Sequence, residues 1–278
     1  MIFPKENIDL DNILLGDFEQ NSKSALMRDI FYKILHLAKL DSHIVIVGEI
    51  GSGKRRLAHI IHENSSRANG PFHSFYCIDI DENDYKDAFW GRLKLETDQI
   101  TLRYDALEKS SEGILYLDQF SELTPHYMSN ILDSYTKGCT QLFRYNKTAQ
   151  PRLIISINQE SYRKIVNSSV WQRVLKDLDP FVIMLPPLRE RKEDIPPLIN
   201  HFLNEIKKTD ANFKNLKISD KALLECSTYN WPGNIRQLKN AVIQGAILSY
   251  GQTIESEHLP FSMSWELPYD IGEKNTSS

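Results

Sequence analysis

Two short stretches carry residue types whose spacing could do chemistry. The first is VGEIGSGKR, residues 47–55, in which Gly48, Gly51 and Gly53 alternate with Glu49, Ile50 and Ser52 before Lys54 and Arg55. Glycines so placed let backbone N–H groups turn inward around phosphates, and a lysine at the end of the run reaches the β and γ oxygens. A helix opening at Lys54 adds its positive N-terminal end. The hydroxyl that usually follows the lysine and binds Mg2+ is replaced by Arg55. The second stretch is ILYLDQFSEL, residues 114–123, in which an apolar strand delivers Asp118 to its end. Asp118 is the expected Mg2+ partner, directly or through water. Gln119 stands where a second acid would take a proton from an attacking water. An amide orients water but is no base, and general-base help is worth about 10²–10⁴-fold in rate. The pair of stretches therefore predicts binding of ATP or ADP more strongly than turnover.

The elements that must position these residues alternate in type. Ser24 to Leu40 has apolar residues at helical spacing, and His43 to Val47 is a short β-branched run. A helix is predicted over 54–65, strands over 72–80 and 114–117, a helix over 125–137 and a buried strand over 152–157 (RLIISI). Strands separated by helices predict a parallel sheet covered on both faces. From Pro186 the pattern changes to LPPLRERKEDIPPL and then three helical segments over 195–208, 219–229 and 234–249, with Ser219 and Asn234 as N-caps and no strand between them. The expected organisation is an α/β nucleotide-binding core over 1–185, a helical lid over 186–263 and a polar, disordered tail over 264–278.

Composition narrows the function classes. The 278 residues are 41% hydrophobic and 25% charged, which is ordinary for a globular chain. Net charge is −4, which does not indicate general affinity for a phosphate backbone, so no direct DNA binding is expected. Cys77, Cys139 and Cys226 form no CxxC pair and suit a reducing compartment. The start MIFPKENIDLDN lacks a signal-peptide pattern, and no apolar run reaches the length of a membrane span, so the expected location is the cytoplasm.

The order GEIGSGK, ILYLDQ, LPPLRERKEDIPPL, WPGNIRQLKNAV resembles the AAA+ domain of sigma-54-dependent transcriptional activators (bacterial enhancer-binding proteins) from about Leu14-Leu15-Gly16 to Pro260. The resemblance implies a P-loop AAA+ core with a parallel sheet flanked by helices and a small all-α lid. It implies ATP (or ADP) with Mg2+ held by Gly16, the loop Gly48–Arg55, Asp118 (the metal ligand), Asn158 at the sensor I turn, Ile195 beside the adenine, and the sensor II Arg236. The family commonly carries an acid where this chain has Arg55. It has an asparagine where this chain has Tyr76, and arginines reaching a neighbour's nucleotide where this chain has Trp171 and Asp177, with Arg173 close by. The GAFTGA loop that engages sigma-54 is absent between Gly91 and Ala106, although Leu93, Leu95, Ile100 and Leu102 alternate as in a hairpin. Too few residues follow Pro260 for the usual helix-turn-helix.

The resulting expectation is a hydrolysis-deficient, ATP-binding, transcription-regulatory module acting through self-association or association with a related AAA+ subunit in a ring. Two alternatives stand beside it: a slow ATPase using Glu122 or Glu49 with Arg173 as a finger, and a nucleotide-free scaffold. His59 and His62, one helical turn apart, are read as packing residues before metal ligands. Trp231-Pro232 reads as a packed helix-to-helix turn. The charge run Arg189 to Asp194 reads as a solvated inter-domain turn.

Overall fold

The computed structural model describes residues 22–77, 89, 92–96, 99–103, 106–133, 135–136, 150–209 and 211–260. Gly16 and the 264–278 tail lie outside the described residues. Helix α1 (Ala25–Lys39) leads into strand β1 (Ile44–Gly48) and helix α2 (Lys54–Glu63). Strand β2 (Phe72–Tyr76) is followed by the hairpin β3 (Arg92–Glu96) and β4 (Gln99–Arg103). Then come β5 (Ile114–Asp118), α3 (Pro125–Asp133), β6 (Arg152–Asn158), α4 (Gln159–Ile165), α5 (Ser169–Leu178) and β7 (Phe181–Met184).

The sheet is five-stranded and parallel in the order β2-β5-β6-β1-β7, so β1, the first strand in the chain, lies inside the sheet between β6 and β7. Ile44, Ile46, Ile114, Tyr116 and Ile154 point to one face and pack on Ile34 of α1 and Leu57 and Ile61 of α2. Val45, Val47, Leu115, Leu117 and Ile155 point to the other and pack on Met128 of α3 and Trp171 of α5. This period-2 division of near-continuous apolar runs is what a sheet covered on both faces requires. Arg152 opens β6 from the interior; its guanidinium donates to the carbonyls of Leu37, Ala38 and Ser42, satisfying the C-terminal end of α1. The hairpin predicted from the alternation at 93–102 is present, with Leu93 opposite Leu102 and Leu95 opposite Ile100.

After β7 comes a helical subdomain: α6 (Ile195–Thr209), α7 (Asp220–Thr228) and α8 (Asn234–Leu248). It has its own core, including Leu198, Phe202, Leu238, Val242 and Trp231. Ser219 caps α7 as expected, accepting from the Ala222 N–H. Two expectations are corrected here. A two-stranded parallel bridge of β8 (Lys217–Ile218) with β9 (Thr253–Ile254) ties the segment before α7 to the one after α8, where sequence periodicity showed no strand. Asn234 is not an N-cap: Gly233 holds that place, and Asn234 is the first helical residue, with φ +53. Among the described residues no helix is long and apolar enough to cross a membrane.

Candidate functional site

The sheet order brings the predicted chemistry to one edge. Gly48 ends β1 directly beside Asn158 of β6, and Asp118 ends β5 directly beside Tyr76 of β2. The loop after β1 is tight because its glycines permit it. Gly51 has φ +75 and Gly53 φ +107, both in the left-handed region. A side chain on Gly51 would lie 2.3 Å from the Gly233 carbonyl oxygen, so the loop and the lid meet there with no space for a methyl group. Lys54 is buried at the start of α2, and its ammonium donates to the Gly48 and Glu49 carbonyls at 2.8 and 2.9 Å. Burial lowers its pKa to about 8, against the opposing pull of Asp118; Arg236 adds to the lowering.

Asp118 Oδ1 accepts from the Ser156 hydroxyl at 2.7 Å and the Tyr116 hydroxyl at 3.1 Å. The same Ser156 oxygen accepts the Gln119 N–H at 2.8 Å, so one serine on β6 orients both residues. Gln119 sits at φ +58, a left-handed turn that Asn, Asp or Gly adopts more easily. Asn158 spends its side-chain oxygen capping α4 through the Glu160 N–H. Tyr76 is joined to Arg55: the guanidinium donates to the Tyr76 hydroxyl and, at 3.5 Å, to Ser74 Oγ, and lies 5.1 Å over the Tyr76 ring. Two residues that depart from the family pattern are therefore partners in space.

The lid is fastened to the loop. The Ile235 and Arg236 N–H groups at the start of α8 both donate to the Gly51 carbonyl, at 3.0 and 3.4 Å. Buried Asn234 accepts the Leu188 N–H at 2.7 Å and donates to Glu49 Oε2 at 3.1 Å and the Ile50 carbonyl at 3.0 Å. Arg189 grips Glu49 through both oxygens, at 2.6 and 2.8 Å, and together with Asn234 holds its pKa below the usual carboxylate range. Glu49 is therefore a structural anion facing the lid, not a free base. The charge run is corrected too. Arg191 is wholly buried and donates to the Ser52 carbonyl at 2.7 Å. Asp194 is 1% exposed and accepts from the Lys23 and Ser24 N–H groups at the start of α1. Two of the six residues of that run, Arg191 and Asp194, are interior.

A cavity of about 450 Å³ opens from Gly53 and Arg56 to Leu198, His201 and Phe202 of α6 and Ile235 and Lys239 of α8. Its α6 wall is mixed, with Leu198 and Phe202 beside His201 and Glu205; the cavity adjoins the phosphate loop at Gly53 and is of a size to take a base and sugar. Ile195 is itself buried in the lid core and does not line this cavity; the residues one and two turns along α6 do.

The positions expected to reach a neighbour are differently used. Trp171 is 2% exposed and packs edge-on against Tyr162 at 5.2 Å. Arg173 donates to both oxygens of Asp133, at 2.5 and 3.2 Å, and to Asp177 at 3.1 Å, all within its own chain. Glu122 is 3.4 Å from the Ser161 hydroxyl. His59 and His62 both lie against the Phe72 ring, at 4.0 and 5.4 Å, and among the described residues no His, Cys, Asp or Glu cluster is placed to hold a metal. Trp231 is buried and donates to the Cys226 carbonyl. Sequence reasoning missed Arg189, Ser156 and the second role of Asn234; the only signal for the first was its place in the LPPLRER block.

Residues 21–182 match the Sigma-54 interaction domain family, and residues 189–270 match the AAA+ ATPase lid domain family. The chain is 33% identical to the transcriptional regulatory protein XylR of Pseudomonas putida over 74% of this chain and 37% of that one. It is 29% identical to a Nif-specific regulatory protein of Azotobacter vinelandii, over 82% of this chain and 44% of that one. Its fold superposes with TM-score 0.72 on NtrX from Brucella abortus in complex with ATP, at 28% identity, covering 87% of this chain and 56% of that one. The chain spans about half the length, or less, of these curated relatives.

Proposed function

Because the chain belongs to the sigma-54 interaction domain family, with an AAA+ lid behind it, we propose that it is an ATP- or ADP-holding subunit of transcription regulation that does not turn the nucleotide over. The observation that carries this reading is a glycine turn with its lysine set beside an amide: Lys54 and the Gly48–Gly53 turn are in place, and the residue after Asp118, where the resemblance puts the base, is Gln119. Phosphates would lie on the loop N–H groups and Lys54, with Arg236 approaching from the lid and the base entering the cavity walled by Phe202 and Ile235. Asp118 is the carboxylate that a Mg2+ travelling with the nucleotide would meet. The structures of NtrX in complex with ATP and with ADP support nucleotide holding by analogy.

Association with like or related subunits through the nucleotide edge is the proposed output, in the cytoplasm and in company with the transcription machinery. Such a subunit would offer a neighbour no free arginine at the position of Arg173, since Asp133 and Asp177 hold it. That clasp also weighs against the slow-ATPase alternative, as does the pairing of Glu49 with Arg189.

The test is phosphate release from Mg-ATP across a wide range of protein concentration, with the Lys54→Ala protein as blank. A rate equal to the blank, together with a melting shift on adding ATP, is expected; a ligand at a hundredfold excess over its Kd stabilises by about 2.7 kcal/mol. A rate per subunit that climbs with concentration would overturn the reading in favour of an assembling ATPase. No melting shift would favour the nucleotide-free scaffold.

A further inference from the structure

Resting on the nucleotide-holding reading, we infer that this site takes its nucleotide without needing a divalent cation, because Arg55 supplies the positive charge that the metal would bring. The guanidinium is one residue beyond Lys54, in the first turn of α2, and it turns toward the sheet. Its partners there are the Tyr76 hydroxyl and ring and, more distantly, Ser74. Tyr76 is the register partner of Asp118, so the arginine stands in the notch between the start of α2 and the ends of β2 and β5. A metal escorting the β and γ phosphates would have to fit the same notch.

The donor set there suits an arginine better than a metal. Mg2+ is a hard cation that demands near-octahedral oxygen ligation and keeps carboxylates and waters around it. The hydroxyl that would follow Lys54 is Arg55, and the second acid is Gln119. The remaining carboxylate, Asp118, has Oδ1 already accepting two hydroxyl hydrogen bonds. The other acid whose charge Lys54 feels, Glu49, is paired with Arg189 on the lid side. Around the expected phosphate position the chain thus places the cations Lys54, Arg55 and Arg236 against one unpaired carboxylate. A dication entering among cations is disfavoured, whereas a guanidinium forks onto phosphate oxygens without needing ligands of its own. Tyr76 prepares it: its ring and hydroxyl hold the solvent-exposed Arg55 beside the loop.

The experiment is the Kd for ATP measured calorimetrically in excess MgCl2 and again in EDTA, for wild type, Arg55→Glu and Arg55→Ala, with Lys54→Ala as blank. Melting curves without nucleotide establish that each variant is folded. The wild-type Kd is expected to agree within about threefold between the two buffers. Arg55→Glu is expected to bind at least about thirtyfold more weakly in EDTA than in MgCl2, since charge reversal leaves only the metal to offset the phosphates. A wild-type Kd that weakens about tenfold or more on chelation, to the same degree as in Arg55→Ala, would overturn this inference and leave nucleotide binding standing. Heat no greater than the blank in either buffer would sink the nucleotide reading, and this one with it.

Discussion

Asn234 offers the sharpest quantitative test of how lid and loop are joined. Replacing it with alanine removes the acceptor for the Leu188 N–H and the donor to Glu49 and Ile50, all in a position with no measurable exposure. An orphaned buried N–H costs about 1–3 kcal/mol. Alanine must also hold φ +53, a left-handed conformation costing about 1–2 kcal/mol for an ordinary residue, which asparagine tolerates through its short polar side chain. The two contributions give about 2–5 kcal/mol of destabilisation, read by urea unfolding monitored by fluorescence of the buried Trp231 of the lid. Asn234→Gly separates them. Glycine removes the backbone strain but adds unfolded-state freedom worth about 0.5–1 kcal/mol, so it should be no more than about 1.5 kcal/mol better than alanine. A loss under about 1 kcal/mol in the alanine protein would refute the reasoning, because the hydrogen bonds would then contribute nothing net. A glycine protein as stable as wild type would show that strain alone was being measured.

Other outcomes follow from the same geometry. Gly51→Ala should detach the lid from the loop, since its methyl group would meet the Gly233 oxygen at 2.3 Å with φ already at +75; faster hydrogen exchange across α8 is the readout, and unchanged exchange would contradict the contact. Lys54 has its pKa lowered to about 8 from 10.5, so between those values the unfolded chain holds more protons than the native one and stability should rise with pH. Relative to Lys54→Met, wild type should gain about 3 kcal/mol over that window, and the Kd for ATP should weaken above pH 8; a flat difference would show that the ammonium is not desolvated. Gln119→Glu alone should raise phosphate release by less than about tenfold, because Arg173 stays clasped by Asp133. A gain of about 10²-fold or more would mean that the missing base was the sole defect.

Local features were the legible ones. A glycine run between a β-branched strand and a helix, or a serine before α7, declares itself within a few residues, because the conformations concerned are set by the residues themselves. What sequence could not give was set by partners far along the chain. Asn234 is a residue type equally suited to a cap and to a left-handed turn, and only the Leu188 amide, Glu49 and Ile50 decide which. Arg191 and Asp194 belong to a run that looks solvated, yet Ser52 and Ser24, more than a hundred residues upstream, bury them. Arg55 and Tyr76 each read as an isolated loss, and their pairing appears only when α2 is laid across β2. Trp171, which the resemblance sets at an arginine position, reads as a gap in the neighbour-facing set until its contact with Tyr162 gives it a packing role.

The two amides of Ile235 and Arg236 that share the Gly51 carbonyl turn the junction into a gauge. Their protons are protected only while the lid is seated, and an opening of the lid frees both without unfolding α8 behind them. Amide exchange at these two positions, set against that at Val242 deep in the same helix, therefore reports the seating equilibrium directly, in protein that carries no label and no ligand. A partner that grips the lid, or one that pries it away, would be detected by the sign of its effect on two backbone protons.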